Sequence, residues 1–256
     1  GPSYFVLIDE ISEQLRLDMD IPKSHIDEIE SMPFQDITSE SVEAYDKYIQ
    51  AIMFRRDEND YESCISALKD AIALDETFAL ANTSLFLTGY LSNNEAHSDT
   101  INDAAKATIA HIYKLPTRLA FKAKQYNYQW IKNDFDKAEK VLLMWKRQYP
   151  ESISPHIELG MLYMNLSEYD KAIDVYNELL EMNPDYHSAY KNIRWCYQWK
   201  GKWDKALEYA ERYMKHYPSM AGSYVGIGHV YGQMCDYEQA KDYYEQALML
   251  ENDNPD

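Results

Sequence analysis

The chain has 256 residues, and 46% of them are hydrophobic, which excludes a chain that is disordered throughout. Its 43 acidic and 25 basic residues give a formal net charge of −18. This balance argues against binding to nucleic acid or to an anionic membrane surface, because both require basic protein surface.

Residues 1–37 are predicted to form an amphipathic helix followed by a linker. Gly1-Pro2 is interpreted as a scar left by protease removal of a tag. One face of the helix carries the apolar residues Ile8, Ile11 and Leu15. Pro22 ends this helix. Thr38-Ser39 is the expected N-cap of the next helix, which opens an array of helix pairs over residues 38–256.

The array is predicted to contain six helix pairs, of which the last three have the clearest pattern. The expected boundaries of the pairs are 45–78, 79–118, 119–152, 153–186, 187–220 and 221–254. The second pair is longer than the others, and the polar stretch 92–95 separates its two helices. The first helix of the third pair departs most from the common pattern.

An alanine and a proline recur through the C-terminal half with the same period. The alanines are 34 residues apart, at Ala138, Ala172, Ala206 and Ala240, as are Pro150, Pro184 and Pro218. A fixed period between about 20 and 50 residues is typical of repeat proteins. Small residues such as Gly160 and Gly228 allow the two helices of a repeat to cross closely. The prolines end each second helix, because proline lacks an N–H donor and disfavours helix in the preceding residue.

The order of residues within each repeat resembles the tetratricopeptide repeat. In the repeat at 153–186 this order is Leu159-Gly160, Tyr163, Tyr169, Ala172, Tyr176 and Pro184. The resemblance implies an all-α fold, a right-handed α-solenoid of about six helix pairs that follows an N-terminal helical extension. One pair cannot bury its own apolar face, so neighbouring pairs stack. The implied function is that of a non-catalytic scaffold that binds a protein or peptide partner in a concave groove.

The groove supplies the candidate binding residues. In tetratricopeptide arrays the first helix of each repeat lines the groove at its second, fifth, ninth, twelfth and thirteenth residues. Among the positions that the rule gives in this sequence, the selected candidates are Asn127, Trp130, Ile157, Met161, Met164, Lys191, Trp195, Gln198, Trp199, Val225 and His229. Tryptophan is enriched at binding hot spots, and methionine surfaces adapt to varied partners. The alternative is that these side chains pack against neighbouring helices.

Two patterns near the N-terminus suggest a larger context. They are Phe5-Val6-Leu7-Ile8-Asp9-Glu10-Ile11 and the run from Thr38-Ser39 through Glu43-Ala44-Tyr45 to Tyr48. Together they resemble the junction between a TolB-like domain and a tetratricopeptide array in bacterial signalling proteins, although the first pattern departs by one residue in spacing. The resemblance implies an alternative function, an oligomerising or regulatory arm of a larger bacterial signalling enzyme or transcription regulator.

No motif for catalysis, metal binding or cofactor binding is found, so we expect a protein that is not an enzyme and has no cofactor. The glycines of Gly226-x-Gly228-x-x-x-Gly232 differ in spacing from the dinucleotide-binding fingerprint and follow no predicted strand. The carboxylate clamp of chaperone-binding tetratricopeptide proteins is also rejected. Lys191 matches the first lysine of that clamp, but Trp195 stands where an asparagine belongs, and Gly222 occupies another polar position.

The charge is unevenly distributed along the array. Residues 111–150 hold nine basic and three acidic side chains, and residues 187–220 hold seven and three. One interpretation is solvated helix faces with ordinary i,i+4 ion pairs. The other is a basic stripe that receives an acidic partner or the acidic end of a second copy. No polar capping helix follows Leu248 and Leu250, so we expect either self-association through the last helix pair or a natural chain that continues beyond it.

The cysteines and the hydropathy bear on localisation. Cys64, Cys196 and Cys235 are odd in number and far apart, which predicts a reducing compartment and hence the cytoplasm, with the periplasm as the alternative. No apolar run approaches the length of about 18 residues that a membrane-spanning helix requires, so no insertion into a membrane is expected.

Overall fold

The computed structural model describes residues 39, 41–58, 60–91 and 98–253, and these residues form twelve α-helices and no β-strand. The helices are α1 Val42–Met53, α2 Tyr61–Leu74, α3 Ala79–Leu91, α4 Ser98–Ala110, α5 Thr117–Tyr126, α6 Phe135–Gln148, α7 Ser154–Asn165, α8 Tyr169–Met182, α9 His187–Trp199, α10 Trp203–His216, α11 Ala221–Gln233 and α12 Tyr237–Asp253. The predicted all-α class is confirmed. The predicted N-terminal helix and linker, the TolB-like pattern at 5–11 and the polar stretch 92–95 lie outside the described residues.

The chain divides into two compact units, Gly1–Val141 and Leu142–Asp256. They are called the N-terminal unit and the C-terminal unit below. The predicted repeat boundaries stay predictions. Two first helices begin before the expected boundary, α1 at Val42 and α5 at Thr117.

The core of the N-terminal unit lies among its first four helices. Its largest fully buried side chains include Leu68, Phe78 and Phe86. Two π-helical turns extend first helices of this unit, one over Phe54–Glu58 after α1 and one over Asn127–Ile131 after α5. A π turn inserts an extra residue into the helical register, so the side chains beyond it point in directions that a regular helix would not give.

The N-cap of α1 is Ser41, and the prediction of Thr38-Ser39 is wrong. The Ser41 side chain accepts a hydrogen bond from the backbone N–H of Ala44 at 3.1 Å, which satisfies one of the free donors of the first turn. Ser39 serves a different contact, because its hydroxyl donates to Asp75 Oδ2 at 2.6 Å and accepts from the Ser41 N–H at 3.1 Å. The Ser39 hydroxyl therefore links the start of α1 to the end of α2.

In the C-terminal unit each helix from α7 to α12 packs against the next one along the chain. Leu159, Leu179, Ile193 and Ile227 are fully buried between these helices. Successive pairs are also joined by polar contacts, for example Tyr209 Oη, which donates to Asn177 Oδ1 at 2.8 Å. The apolar stripes that repeat along the sequence thus share one continuous interior, as stacked repeats require.

The prolines stand where the period predicts the end of a second helix. Helices α8 and α10 end at Met182 and His216, two residues before Pro184 and Pro218. The intervening residues leave the helical region, with a φ of −142° at Asn183 and −130° at Tyr217. This is the conformation that a following proline imposes on its neighbour.

The turn inside each of the last four pairs contains one residue in the left-handed region. These residues are Asn133, Ser167, Gly201 and Cys235, with φ between 50° and 64° and a spacing of 34 residues. In the turn after α7 the N–H of Glu168 then bonds back to the carbonyl of Tyr163 at 2.8 Å, across this residue. Only Gly201 adopts the left-handed conformation without steric cost from a Cβ atom.

The two helices of a pair cross most closely at a glycine. A Cβ atom added at Gly160 would lie 2.4 Å from the ring of Tyr176, and one added at Gly228 would lie 2.8 Å from the ring of Tyr244. The tyrosine ring of the second helix therefore rests directly on the backbone of the first helix. The predicted close crossing at Gly160 and Gly228 is confirmed by this geometry.

The left-handed turn position yields a first prediction. Replacing Ser167 by glycine should stabilise the protein by about 0.5–1 kcal/mol, because backbone strain is removed at a modest entropic cost. The reverse change, Gly201→Ser, should destabilise it by a similar amount, since a Cβ atom there has open space and only the backbone is strained. Urea unfolding followed by circular dichroism measures both values. Stabilisation by Gly201→Ser would contradict the assignment.

The close crossing yields a second prediction. Gly160→Ala should cost about 1–3 kcal/mol, because its new methyl group overlaps the buried ring of Tyr176. Gly222→Ala is the matched control, since the added Cβ would meet nothing within 4 Å, and it should be neutral or slightly stabilising through helix propensity. Chemical denaturation of both variants gives the comparison. Equal stability of the two variants would show that the crossing is not tight.

Candidate functional site

One crossing of the C-terminal unit is built differently from its neighbours. Arg194 stands 34 residues from both Gly160 and Gly228, at the position where those repeats have glycine. Its partner position on the second helix is Ala210, where the neighbouring repeats have a tyrosine. In the pair α9–α10 the large residue is therefore on the first helix and the small residue on the second. In the pairs α7–α8 and α11–α12 the small residue is on the first helix and the large residue on the second.

Arg194 is buried at this crossing, with 5% of its surface exposed. Its Nη1 donates to Gln198 Oε1 at 2.6 Å, and its guanidinium carbon lies 5.8 Å from the ring centre of Trp195. A Cβ atom on Gly226 would lie 3.6 Å from its Nε, so the side chain reaches from α9 to α11. Burial lowers the pKa of Arg194 to about 10, because removal from water penalises the charged form.

A cavity of about 480 Å³ opens beside Arg194. Its lining residues come from α9, α10 and α11 and are Arg194, Trp195, Gln198, Trp199, Trp203, His229 and Gln233. The two tryptophans of α9 remain accessible, with exposed fractions of 48% for Trp195 and 75% for Trp199. Gln198 lies between them in sequence but is buried, and its Nε2 donates to Gln233 Oε1 at 3.4 Å. The cavity therefore combines aromatic walls with a buried polar floor.

The electrostatics of the cavity also affect His229. This side chain lies on α11, and its ring meets that of Tyr244 edge to face at 5.8 Å between centres. Partial burial lowers the pKa of His229 below its usual value, and the positive charge of Arg194 lowers it further. His229 is therefore mainly neutral at pH 7, and its free ring nitrogen is available as a hydrogen-bond acceptor.

The cavity gathers four of the predicted groove residues, namely Trp195, Gln198, Trp199 and His229. Met161 is exposed on α7, while Ile157, Met164, Lys191 and Val225 are partly buried on the first helices of this unit. None of these nine side chains is among the buried hydrophobic residues of the core. Their role as groove residues stays a prediction, because the geometry shows where they lie and not what they bind.

The two predicted residues of the N-terminal unit are placed differently. Asn127 is buried, and Trp130 packs on Tyr90 with 4.6 Å between ring centres. Both belong to the π turn after α5, which shifts the register on which the position rule depends. For Trp130 the contact favours the packing alternative that the sequence analysis left open.

Two lining residues were not predicted, namely Arg194 and Trp203, and a third, Gln233, lies at a position of the rule. The position rule assigns the glycine position of each repeat to the interior and not to the groove. It therefore does not include Arg194. A signal was nevertheless available in the sequence, because an arginine at a glycine position together with an alanine at the matching tyrosine position indicates an exchange of volume. Gln233 was counted by the rule but was not selected.

A second cavity lies in the N-terminal unit, between α2, α3 and α4, with a volume of about 590 Å³. Its lining mixes acidic and basic groups, including Lys69, Glu76, Asp103 and His111. None of the predicted groove residues takes part in it. The absence of an exposed aromatic cluster makes it a weaker candidate for protein binding than the cavity beside Arg194.

The described residues offer few groups suited to catalysis or metal binding. The three cysteines are free, and burial raises the pKa of Cys196 to about 12 and also that of Cys64, which leaves both thiols weakly nucleophilic. Within this part of the chain no cluster of three or more His, Cys, Asp and Glu side chains is placed to hold a metal ion. A search of the same residues found no helix with the length and apolar character needed to span a membrane.

Family models confirm the repeats in the C-terminal part of the chain. Models described as tetratricopeptide repeat match residues 154–186, 195–219 and 221–254. These ranges fall within the last three predicted repeats. A comparison with curated protein sequences found no significant match.

Three solved structures are similar in fold at low sequence identity. PilW, described as a widely conserved type IV pilus biogenesis factor, is 14% identical, with a TM-score of 0.63 over 80% of this chain and 92% of PilW. A tetratricopeptide repeat protein from Parabacteroides merdae is 16% identical, with a TM-score of 0.60 over 82% of this chain and 80% of that one. Yeast Tom70 is 16% identical, with a TM-score of 0.65 over 85% of this chain and 46% of Tom70. These likenesses bear on the fold alone.

The contact between Arg194 and His229 can be tested directly. Arg194→Met should raise the pKa of His229 toward the ordinary value of about 6.5, because a neighbouring positive charge is removed while the burial persists. Titration of the histidine side chains by NMR measures this pKa. His156, whose pKa burial lowers without any contribution from Arg194, is the internal control and should not move. An unchanged pKa at His229 would contradict a charged Arg194 beside it.

Proposed function

We propose that the chain is a non-catalytic protein–protein interaction scaffold and that its C-terminal unit binds a peptide or helix of a partner. The binding face is formed by the first helices α7, α9 and α11. The observation that carries the proposal is the pair of exposed indoles, Trp195 and Trp199, beside a cavity with a polar floor. Tryptophans that are well positioned and accessible are the side chains most often found at binding hot spots.

Burial of the exposed side chains of this face would supply most of the free energy of a useful affinity. Complete burial of one large apolar side chain contributes about 1.5–3 kcal/mol. Trp195, Trp199 and the exposed Met161 could together supply most of the free energy of a micromolar complex, about 8 kcal/mol, before the entropic cost of association. Additional hydrogen bonds are therefore needed, and the amide of Gln233 and the ring of His229 are placed to make them.

The polar groups suit a peptide better than a purely apolar ligand. Gln198 is engaged with Arg194 and Gln233, so its orientation is fixed by contacts within the protein. Gln233 is exposed and can offer its remaining amide hydrogens to a backbone carbonyl of a ligand. A rigid aromatic wall next to oriented amides is the arrangement expected for recognition of an extended or helical segment.

A second candidate function rests on the last helix. Leu248 and Met249 are exposed on α12, with exposed fractions of 57% and 64%. An apolar edge of this kind suits contact with another protein or with a second copy. Under this alternative the chain is an oligomerising or regulatory arm of a larger bacterial signalling enzyme or transcription regulator, and the face of α9 is incidental.

One experiment separates the two functions. Affinity capture with the full chain, followed by mass spectrometry, should recover a partner protein. The double variant Trp195→Ala with Trp199→Ala should capture at least tenfold less of that partner, because it lacks the two main aromatic contacts. Light scattering should show the same mass for the variant and the parent. Tyr237→Ala removes an exposed aromatic ring from α12 and is the matched control that should retain the partner.

The alternative predicts the opposite pattern. Leu248→Glu should then lower the mass of an assembled species, since it places a charge in the apolar contact, while the two tryptophan substitutions should leave capture unchanged. Retention of every captured protein by the double tryptophan variant would overturn the proposed binding face. Loss of the same proteins from the Tyr237→Ala control would show that the effect is not specific to the tryptophans.

A further inference from the structure

Arg194 is a buried cation that has no counter-ion among the described residues. Its side chain donates to the amide oxygen of Gln198 and lies over the ring of Trp195. It also lies near Gly226 and interacts electrostatically with Tyr244 and His229, and no carboxylate of the described residues lies within ion-pair distance. A buried charge without an opposite charge is costly, so such groups are normally paired or become neutral. Arginine remains protonated at neutral pH even after the shift described above.

Filling space does not explain an arginine at this position. The neighbouring crossings fill the same volume with glycine on one helix and tyrosine on the other, without any buried charge. A methionine or leucine opposite Ala210 would pack with an apolar stem and avoid the desolvation cost. Arg194 is also one of the residues that line the cavity bordered by the tryptophans.

The guanidinium has N–H donors beyond the one that Gln198 uses. It carries five N–H groups, and one of them is used by Gln198. The planar fork of arginine matches the two oxygens of a carboxylate, which it binds through two parallel hydrogen bonds. The indole walls of Trp195 and Trp199 would shield such a pair from water and strengthen it. Neutral His229 would not repel the added negative charge.

The surrounding charge also favours an acidic ligand. Residues 187–220 hold seven basic and three acidic side chains in a chain whose net charge is −18. Lys191 lies one helical turn before Trp195 on α9 and is partly exposed. An acidic segment of a partner would therefore meet a favourable potential near this cavity, as steering by complementary charge requires.

We infer that the cavity beside Arg194 is a carboxylate-binding subsite, which takes an Asp or Glu side chain or a terminal carboxylate from an acidic peptide segment of a partner protein. This inference rests on the proposed function and specifies the chemistry of its ligand. The arginine differs from the carboxylate clamp rejected above, because it occupies the close-crossing position of the repeat and not a groove position. Trp195 and Trp199 hold the apolar part of the segment.

The test uses three peptides and the intrinsic tryptophan fluorescence of the full chain. The acidic peptide is acetylated and amidated Leu-Glu-Phe-Asp-Leu, and its neutral twin is acetylated and amidated Leu-Gln-Phe-Asn-Leu. The third peptide is the neutral sequence with a free terminal carboxylate. The acidic peptide should bind about tenfold to a hundredfold more tightly than the neutral twin at low ionic strength, as expected for hydrogen bonds to a charged group.

Arg194→Met should remove this preference, so that the acidic and neutral peptides bind equally. Arg212→Met is the matched control, since it removes the same charge from an exposed position on α10 and should keep the preference. If Arg194→Met does not fold, the parent chain still decides the question. A carboxylate beside Arg194 should raise the pKa of His229 in NMR titrations with the acidic peptide but not with the neutral twin.

The outcomes separate the inference from the proposed function. Tight binding of the free-acid peptide alone would identify a chain terminus as the source of the carboxylate and would support the subsite. Equal binding of all three peptides to the parent, or a preference that survives Arg194→Met, would overturn the subsite while leaving the tryptophan face intact. A drop in the mass of the free chain on Arg194→Met would also overturn it, since the occupant would then be a second copy.

Discussion

The close contact between the two helices of each repeat governs the rest of the structure. Where α7 meets α8, a fully buried tyrosine ring lies on a glycine backbone at a separation that leaves no room for a methyl group. Such a contact fixes how near the helices come and how their remaining side chains meet, because a packed interior tolerates little change in volume. The same contact recurs between Gly228 and Tyr244 two repeats later.

The candidate site lies at the one pair of the C-terminal unit's last three in which this glycine–tyrosine contact is replaced by other residues. At the crossing of α9 and α10 the large residue comes from the first helix, and the chosen residue is an arginine. Its side chain lines the cavity and approaches Gly226 on α11. A structural requirement for volume and a binding requirement for charge are thus met by one side chain. The guanidinium can orient a ligand that packs against the exposed indoles nearby, whereas an apolar residue at this position could not.

The sequence predicted the elements that follow from strict periodicity. The ends of α8 and α10 before Pro184 and Pro218 and the tight contact at Gly160 could all be derived, because each depends on residues close in sequence. The N-cap of α1 could not, since several hydroxyls compete and the tertiary contact of Ser39 with Asp75 decides between them. The sequence predicted some residues of the candidate site and missed others. The position rule found Trp195 and Trp199, but it assumes regular helices, so it could not anticipate the π turn that carries Asn127 and Trp130.

The exchange of volume between the two helices is the claim on which the site depends, and one crystal structure would test it most directly. The double substitution Arg194→Gly with Ala210→Tyr gives the α9 and α10 crossing the residues of its neighbours. We expect the introduced ring to lie on the backbone of residue 194 as Tyr176 lies on Gly160, with the helix positions unchanged and no cation beside the tryptophans. An introduced ring turned outward to solvent, with α9 and α10 displaced, would contradict the exchange and the account of the cavity built on it.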